Sequence, residues 1–213
     1  MKKRRVTIHL LRHGKTAGNL RHSYVGRKTK EGLSEDGILE LQKIREQYAG
    51  VFQRFYDAMR ENRMEYFSSP MKRCIETGAV LFPEMAPTVL EGMEEMDFGD
   101  FEGKNYEELN GNPEYQSWID SGGVSKIPNG ESREEFITRT REAFFKAVRN
   151  CEKEELFIIC HGGSLMAILS SLGFGDYFDF QVGNGEGYRI EIEIEEDKID
   201  AISYDSLFPG VPT

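Results

Sequence analysis

The sequence predicts an α/β fold, a three-layer α/β/α sandwich with a mainly parallel central sheet. Strand-like apolar runs alternate with stretches in which apolar residues recur at helical spacing. The first run, "RVTIHLL", is nearly continuous in apolar and β-branched residues, as is typical of a parallel strand buried on both faces. No internal repeat or low-complexity linker divides the 213 residues, a length that fits one domain with a full hydrophobic core. We therefore expect a single domain over residues 1–213.

The first half of the chain contains two predicted strands, each followed by a helix. We expect the basic start "MKKRR" to be a solvated arm in front of the strand "RVTIHLL". Apolar residues then recur at helical spacing from about residue 35 to residue 60, which predicts helical structure there. "MEYFSSP" predicts the second strand. The helix after it is expected to have Ser69 as its N-cap and Pro70 as its first residue.

The second half of the chain adds a helix, a third buried strand and a hairpin. Ser132 and Glu135 resemble a capping box for a helix that runs to about Asn150. "EELFIICHGG" predicts a strand that breaks into a glycine turn, and "SLMAILSSL" predicts the helix after the turn. The strands "GYRIEIEIEE" and "IDAISYD" carry charges at alternate positions, which predicts a more exposed hairpin around Glu196 and Asp197. The segment at about 91–130 has weak periodicity, so both structural packing and a substrate-cap insertion remain open for it.

The charge and cysteine content exclude several classes of protein. Lys and Arg number 27 against 37 Asp and Glu, and a net charge of −10 argues against nucleic-acid or anionic-membrane partners. Three cysteines without a CxxC spacing indicate neither a disulfide framework nor a zinc ribbon. The apolar stretch after "MKKRR" is too short for a signal peptide or a membrane span. We therefore expect a cytoplasmic protein, and the oligomeric state is left open.

Two predicted strands end in similar residues, "IHLLRHG" and "FIICHGG". The carboxyl ends of adjacent parallel strands line one crevice, so His13 and His161 are expected to face each other there. Arg73 lies in the first turn of the helix after "YFSSP" and is expected to join them. One guanidinium group can donate two parallel hydrogen bonds to the oxygens of a phosphate, and helix N-termini add backbone N–H donors. Arg12, Arg73 and the two histidines therefore predict a phosphate site.

Four motifs together resemble one known family. "LRHGKTAGN", "SSPMKRCIET", "EMDFGDFEG" and "CHGG" follow the order seen in the histidine phosphatase superfamily, which includes the phosphoglycerate mutases, and the match is similar to its small-phosphatase branch. The resemblance covers about residues 8–168 and implies a phosphoglycerate mutase-like fold. It implies that His13 is the nucleophile and that Glu95 is the proton donor. The residues that it implies hold the phosphate are Arg12, Asn19, Arg73 and His161, the last of them also catalytic.

The chemistry of these residue types fits phosphoryl transfer. A neutral imidazole nitrogen can attack phosphorus, and water can cleave the resulting phosphohistidine. Fixed cations stabilise charge on the transferring group without a metal, and no HExxH or comparable ligand spacing occurs. The prediction is a metal-independent phosphatase that acts on a small anionic phosphate monoester, with no cofactor. A phosphoglycerate mutase-type transfer is the runner-up, and a non-enzymatic binding module is the third interpretation.

Departures from the family's commonest form concern the substrate. Lys15 stands where the family usually has an acidic residue, and "GRKTKEGLSEDG" lacks the usual Asp and Pro. The loop 21–30 is rich in cations, so it is either a solvated basic loop or a selector for a second anionic group on the substrate. The residues assigned to substrate binding are Thr16, Arg21, Gly26 and Arg27. His9 is expected to be a core histidine, His22 a loop residue and Cys160 a buried small side chain.

Overall fold

The computed structural model describes residues 3–196 and 198–208. Within these residues, six strands form one sheet in the order β3-β2-β4-β1-β5-β6. Neighbours from β3 to β1 are parallel, whereas β5 pairs antiparallel with β1 and β6 antiparallel with β5. The strands are β1 Arg4–Arg12, β2 Met64–Ser68, β3 Thr88–Val89, β4 Glu155–Cys160, β5 Gly187–Glu195 and β6 Lys198–Ser206. The mainly parallel sheet of the sequence prediction is therefore confirmed.

Helices cover both faces of the sheet and complete the three layers. On one face, helices α7 and α8 pack against Ile8 and Leu10 of β1 and Ile158 of β4. On the other face, α2, α3 and α4 pack against Leu11 and Phe157. The helices are α1 Ala17–Leu20, α2 Glu35–Gln47, α3 Ala49–Arg60, α4 Lys72–Leu81, α5 Tyr106–Leu109, α6 Pro113–Asp120, α7 Arg133–Asn150 and α8 Gly162–Ser171.

The helical structure predicted over residues 35–60 is present, and it is divided into two helices. Tyr48, with φ −109° and ψ 32°, separates α2 from α3. Its ring stacks on Phe208, with ring centroids 4.7 Å apart. The break allows Leu41 of α2 and Phe55 of α3 to pack in the same apolar core, because each short helix turns its own apolar stripe toward the sheet.

The prediction that α4 begins at Pro70, with Ser69 as its N-cap, is wrong. The helix begins at Lys72, and its N-cap is Met71, which makes no side-chain cap hydrogen bond. Ser69 lies before the helix, and its hydroxyl oxygen is 2.8 Å from Nε2 of His161. By contrast, the capping box of Ser132 and Glu135 on α7 is confirmed.

Three smaller differences concern the chain ends and the turns. The basic start was expected to be a solvated arm. Of its described residues, Arg4 and Arg5 instead belong to β1 and pair with β5. The glycine turn after β4 is the first turn of α8, which begins at Gly162. The hairpin of β5 and β6 forms as predicted, although Asp197 in its turn lies outside the described residues. No helix among the described residues is long and apolar enough to cross a membrane.

Residues 91–130 pack against helices α7 and α8. The segment contains α5, α6 and a short 3-10 helix at Gly99–Phe101. Phe101, Leu109 and Ile127 are buried in one apolar cluster with Phe136 of α7 and Ala167 of α8. Packing of this segment therefore accounts for part of its aromatic content.

His9 is a core histidine, as the sequence predicts. It is 1% exposed, and its ring centroid lies 4.7 Å from that of Phe55. Its Nε2 lies 2.8 Å from a carboxylate oxygen of Glu155, which also pairs with Arg54. Burial lowers the pKa of His9, although Glu155 opposes the shift. The hydrogen bond from His9 and the pairing with Arg54 lower the pKa of Glu155 to about 2.

We predict that His9 makes folding sensitive to mild acid. The unfolded chain binds a proton at this side chain near pH 6.5, whereas the folded chain does so only at lower pH. Its contribution to stability is therefore complete above pH 6.5 and is lost as the pH falls toward the folded pKa. His9→Gln keeps a donor for Glu155 but cannot titrate. When the pH falls from 6.5 to about 5.5, urea unfolding should show a smaller loss of unfolding free energy in the variant than in the wild type. The difference should be up to about 1.4 kcal/mol per pH unit.

His22→Gln is the matched control, because His22 is exposed in the folded protein. It should leave the slope of unfolding free energy against pH unchanged. An unchanged slope in the His9 variant would contradict the assignment of His9 as a buried neutral histidine.

Candidate active site

The candidate site lies where β1 and β4 end side by side. Arg12 of β1 is in register with Cys160 of β4, so the next residues, His13 and His161, emerge together. Their ring centroids are 5.2 Å apart, with an interplanar angle of 65°. His13 is 2% exposed and His161 is fully buried. The two strand-ending motifs therefore meet, as the parallel pairing predicts.

His13 is held as a neutral base with one nitrogen directed into the site. Its Nδ1 lies 2.7 Å from the carbonyl oxygen of Gly14, which can only accept, so the proton is on Nδ1. Arg73 Nε donates to His13 Nε2 over 3.2 Å, which requires an unprotonated Nε2. Burial lowers the pKa of His13 well below its usual range, and the charges of Arg73 and Arg12 lower it further. An unprotonated imidazole nitrogen of this kind can attack phosphorus.

Arg73 is fully buried and is positioned by backbone carbonyls. Its Nη1 donates to the oxygen of Thr29 over 3.2 Å, and its Nη2 donates to the oxygens of Val25 and Gly26 over 3.3 Å each. α4 supplies the residue, and Thr77 of the same helix accepts from the backbone N–H of Gly14 over 3.0 Å. The guanidinium and the His13 backbone are thus fixed by one helix.

Glu102 organises the loop that supplies those carbonyls. Its carboxylate accepts hydrogen bonds from the backbone N–H groups of Gly26, at 3.0 Å, and Lys28, at 3.1 Å, and from the hydroxyl of Thr29. The peptide between Val25 and Gly26 therefore donates to Glu102 on one side and accepts from Arg73 on the other. The motif "EMDFGDFEG" contained Glu102, but the sequence did not indicate this role.

Arg12 lies beside the N-terminus of α8. Its Nη1 donates to the carbonyl of Val182 over 2.6 Å, while its buried Nε has no hydrogen-bond partner among the described residues. A Cβ on Gly162 would lie only 3.3 Å from Nε and Cζ of Arg12, so glycine permits the close approach. An unpartnered N–H in a buried cationic site can donate to a phosphate oxygen.

His161 is the N-cap residue of α8, but its ring makes no cap hydrogen bond. Its Nε2 lies 2.8 Å from Ser69 Oγ and 3.6 Å from Cys74 Sγ. Burial lowers the pKa of His161 well below its usual range, and Arg73 adds to the effect. Burial raises the pKa of the Cys74 thiol to about 12, so this cysteine stays protonated beside the ring. Cys160 is buried, as the sequence predicts.

The structure separates Glu95 from its acidic neighbours. Glu95 is 9% exposed, and its carboxylate accepts from the backbone N–H groups of Gly163, at 3.2 Å, and Met96, at 2.9 Å. Glu94 instead lies 3.5 Å from Arg27 and 3.4 Å from Arg139. Asp97 pairs with a lysine and receives the N–H of Gly99. Of these three carboxylates, only that of Glu95 reaches the glycine turn next to His161.

Arg139 of α7 clamps the segment that presents Glu95, a role that no motif indicated. Its guanidinium pairs with Glu131 at 2.8 Å. It also donates to the carbonyls of Gly92, at 2.9 Å, and Glu94, at 3.1 Å. Its Nη2 lies 3.4 Å from the carbonyl oxygen of Glu95. The backbone of residues 92–95 is therefore fixed on both sides of the Glu95 side chain.

Asn19 and Thr16 belong to the first turn of α1. Thr16 is fully buried; its hydroxyl accepts from the N–H of Asn19 over 3.2 Å and donates to Glu31 over 2.6 Å. Thr16 thus caps α1 and does not line the cavity, contrary to its assignment to substrate binding. Asn19 Oδ1 accepts from the N–H of Thr16 and from Asn184, which also donates to the carbonyl of His13. Asn19 does line the cavity, and the contribution of Asn184 was not predicted.

Arg21, Gly26 and Arg27 are likewise not among the residues that line the cavity. Gly26 is buried and supplies the carbonyl to Arg73. Arg27 turns toward Glu94, and Lys28 pairs with Asp97 at 3.0 Å. These cations face carboxylates of residues 94–97 because the two loops pack together. The structure brings the basic loop next to the site without directing it into the cavity.

An active-site cavity of about 560 Å³ opens from His13 toward residues 91–130. Its inner end is lined by the polar and glycine residues Arg12, His13, Asn19, Glu95, Gly162 and Gly163. Its outer part is mainly apolar and aromatic, and is lined by Ser23, Tyr24, Val25, Met96, Phe98, Trp118, Ile119, Gly122, Gly123, Arg133, Met166, Tyr177, Phe178, Gln181 and Val182. The sequence did not indicate Arg133, Tyr177 or Phe178 as site residues.

Known proteins with related sequences or folds include phosphatases. "Putative phosphoserine phosphatase 2" of Hydrogenobacter thermophilus is 25% identical over 197 residues, covering 89% of this chain and 91% of that protein. The alpha-ribazole phosphatase from Shigella flexneri matches with a TM-score of 0.73 and 21% identity over 98% of this chain and all of that chain. A phosphoserine phosphatase mutant from Entamoeba histolytica, solved in complex with phosphoserine, matches with a TM-score of 0.71 and 23% identity. The match covers 95% of this chain and 98% of that chain. The fold is shared with these structures.

The family model of the histidine phosphatase superfamily, branch 1, matches residues 8–205. The match includes both strand-ending histidines, Arg73, Glu95 and most of the cavity wall. The chain therefore belongs to the histidine phosphatase superfamily, branch 1, and is a phosphoric monoester hydrolase.

Proposed function

We propose that this enzyme hydrolyses phosphate monoesters through a phosphohistidine on His13, without a metal ion. The observation that carries the proposal is the fixed tautomer of His13, with Nδ1–H bonded to Gly14 and Nε2 facing Arg73. Burial between two arginines lowers the pKa of His13, so Nε2 carries its lone pair at neutral pH. The acidic neighbour in the cavity wall, Glu95, supplies the proton that an alkoxide leaving group needs.

In the first step, His13 Nε2 attacks phosphorus. The N–P bond forms while the P–O bond to the alcohol breaks, and Glu95 in its protonated form delivers its proton to the departing oxygen. Arg12 and Arg73 bind the equatorial oxygens, whose charge they stabilise in the transition state. The buried N–H of Arg12 and the N-terminus of α8 are available for this role.

In the second step, water replaces the histidine. Glu95, now a carboxylate, takes a proton from water as the oxygen attacks phosphorus. The new O–P bond forms, the N–P bond breaks, and inorganic phosphate leaves neutral His13 behind. Among the described residues, no group of three or more His, Cys, Asp or Glu side chains could hold a metal ion. The two arginines and His161 are the charge-stabilising groups in this scheme.

We predict that His13→Ala abolishes turnover. The variant lacks the nucleophile, so phosphate release should fall by more than about 1,000-fold. Acid lability and base stability of the adduct trapped on the wild-type enzyme would identify phosphohistidine. Unchanged circular dichroism would show that the fold survives. An acid-stable phosphoserine adduct, or full activity in the variant, would exclude His13 as the nucleophile; transfer to a second alcohol without release of phosphate would favour the mutase alternative.

We predict that Glu95→Gln affects poor leaving groups most. Gln keeps the size and polarity of the side chain but cannot donate a titratable proton. Hydrolysis of an alkyl phosphate should fall about 100- to 10,000-fold, whereas p-nitrophenyl phosphate, whose leaving group departs without protonation, should lose much less. Steady-state rates with both substrates test this. Glu94→Gln is the matched control, and the assignment is wrong by one residue if that variant alone shows the leaving-group dependence.

We predict that Glu102 acts through Arg73. In Glu102→Gln an NH₂ group can face the N–H groups of Gly26 and Lys28, so the peptide that accepts from Arg73 loses its anchor. Misplacement of Arg73 should lower kcat about 10- to 100-fold and weaken competitive inhibition by inorganic phosphate. Glu107→Gln, an exposed change of the same charge on α5, is the control. Unchanged kcat and phosphate inhibition in the Glu102 variant would show that Glu102 supports only the loop.

A further inference from the structure

We infer that the preferred substrate is a phosphate monoester whose alcohol carries a planar apolar ring system, rather than a small zwitterionic alcohol such as serine. The inference rests on the proposed phosphatase function and concerns the part of the substrate beyond the phosphate. It follows from the outer part of the active-site cavity, whose chemistry differs from that of the inner end.

The outer wall offers flat apolar surfaces on several sides. Tyr24 and Trp118 meet edge to face, with ring centroids 5.6 Å apart, and Tyr24 is fixed by a 2.9 Å hydrogen bond between its hydroxyl and that of Tyr115. Phe98 packs 5.0 Å from Tyr24. These rings are therefore held in place before a ligand binds, which reduces the entropy cost of binding another ring.

Two large apolar side chains at this wall are left partly in water. Phe178 is 51% exposed and Ile119 is 45% exposed, and both line the cavity. Burial of apolar surface is favourable, so a ring that covers them gains binding free energy that a small polar alcohol does not.

Among the described residues that line the outer part of the cavity, none carries a carboxylate that could pair with an ammonium group. Of the described residues that line the whole cavity, Glu95 is the single carboxylate, and its oxygens accept from the N–H groups of Met96 and Gly163. In the proposed mechanism Glu95 also has to carry a proton. An ammonium ion placed in the outer part would therefore lose its water without gaining a carboxylate.

The cationic side chain of the outer wall, Arg133, packs on aromatic rings and binds a backbone carbonyl. The guanidinium carbon of Arg133 lies 4.5 Å from the ring centroid of Phe178 and 5.1 Å from that of Tyr177. One of its amino groups also donates to the carbonyl of Gly122. Arg133 thus ties the start of α7 to both sides of the cavity mouth, and its planar face extends the flat surface.

The volume of the cavity agrees with a ring system. About 560 Å³ lies in the range of cavities that enclose drug-sized ligands, and a phosphate occupies only the inner end. Phosphoserine would leave most of the apolar wall uncovered. The distinction matters because relatives of this chain include proteins named as phosphoserine phosphatases.

The test compares three primary alkyl phosphates with the wild-type enzyme: 2-(1-naphthyl)ethyl phosphate, ethyl phosphate and O-phospho-L-serine. All three release an alkoxide that needs a proton, so leaving-group chemistry does not favour the naphthyl compound. We expect its kcat/KM to exceed that of ethyl phosphate by about 100-fold, because a buried ring gains several kcal/mol of transfer free energy, part of which is offset by ordering. Phosphoserine should be no better than ethyl phosphate.

A matched pair of variants locates the effect. Ile119→Asp places a charge at the cavity wall and should lower kcat/KM for the naphthyl compound about tenfold, with a much smaller change for ethyl phosphate. Val124→Asp is the control, since Val124 is 48% exposed in the same segment but does not line the cavity. Trp118→Phe should retain more of the naphthyl preference than Trp118→Ala.

The outcomes separate this inference from the proposed function. A kcat/KM for phosphoserine that equals or exceeds that for the naphthyl compound overturns the inference, while His13-dependent release of phosphate keeps the phosphatase function intact. Equal losses on all three substrates in Ile119→Asp also overturn it. If none of the three substrates releases phosphate and no phosphoenzyme forms, the proposed function itself is overturned.

Discussion

The arrangement of the whole site depends on one buried cation, Arg73. Burial of a charge costs several kcal/mol unless its donors are satisfied. Here three backbone carbonyls and His13 accept from the guanidinium. Carbonyl oxygens satisfy donors without cancelling the charge, so the positive potential remains available to a phosphate. A carboxylate in the same place would stabilise Arg73 better but would repel the substrate.

The carbonyls can satisfy the donors of Arg73 only if their loop is rigid. A residue of the segment 91–130 contributes to that rigidity. Glu102 fixes the backbone of Gly26 and Lys28 from that segment. A Cβ at Gly26 would lie 2.3 Å from the carbonyl oxygen of Met96, so glycine allows the loop to pack this closely. The negative charge that offsets Arg73 is thus displaced by one peptide unit, to a place where it does not compete for the phosphate.

The sequence predicted the parts of the site that depend on strand ends and local motifs. His13 and His161 were predictable because parallel strands bring their carboxyl ends together, and the buried strand "RVTIHLL" was recognisable from its composition. The helix break at Tyr48 was not predictable, since the partner on which Tyr48 stacks, Phe208, is distant in the chain. Glu102 and Arg133 were missed for the same reason: their hydrogen bonds are made to backbone groups of other segments, which carry no side-chain signature. The sequence left two interpretations of the basic loop open, because it did not show that Arg27 and Lys28 pair with carboxylates of another loop.

Residues 94–96 join the chemistry of the site to the recognition of its substrate. Glu95 reaches the glycine turn beside His161, while the next residue, Met96, lines the apolar part of the cavity. Arg139 holds the carbonyls on both sides of Glu95, so a movement of this short stretch would displace the carboxylate that we propose as the proton donor. Changes of substrate are therefore easier at residues 118–123, which line the outer wall and take no part in this clamp. In the function that we propose, a fixed phosphate end, built on strand ends and Arg73, is separate from an outer wall whose side chains can vary without altering His13.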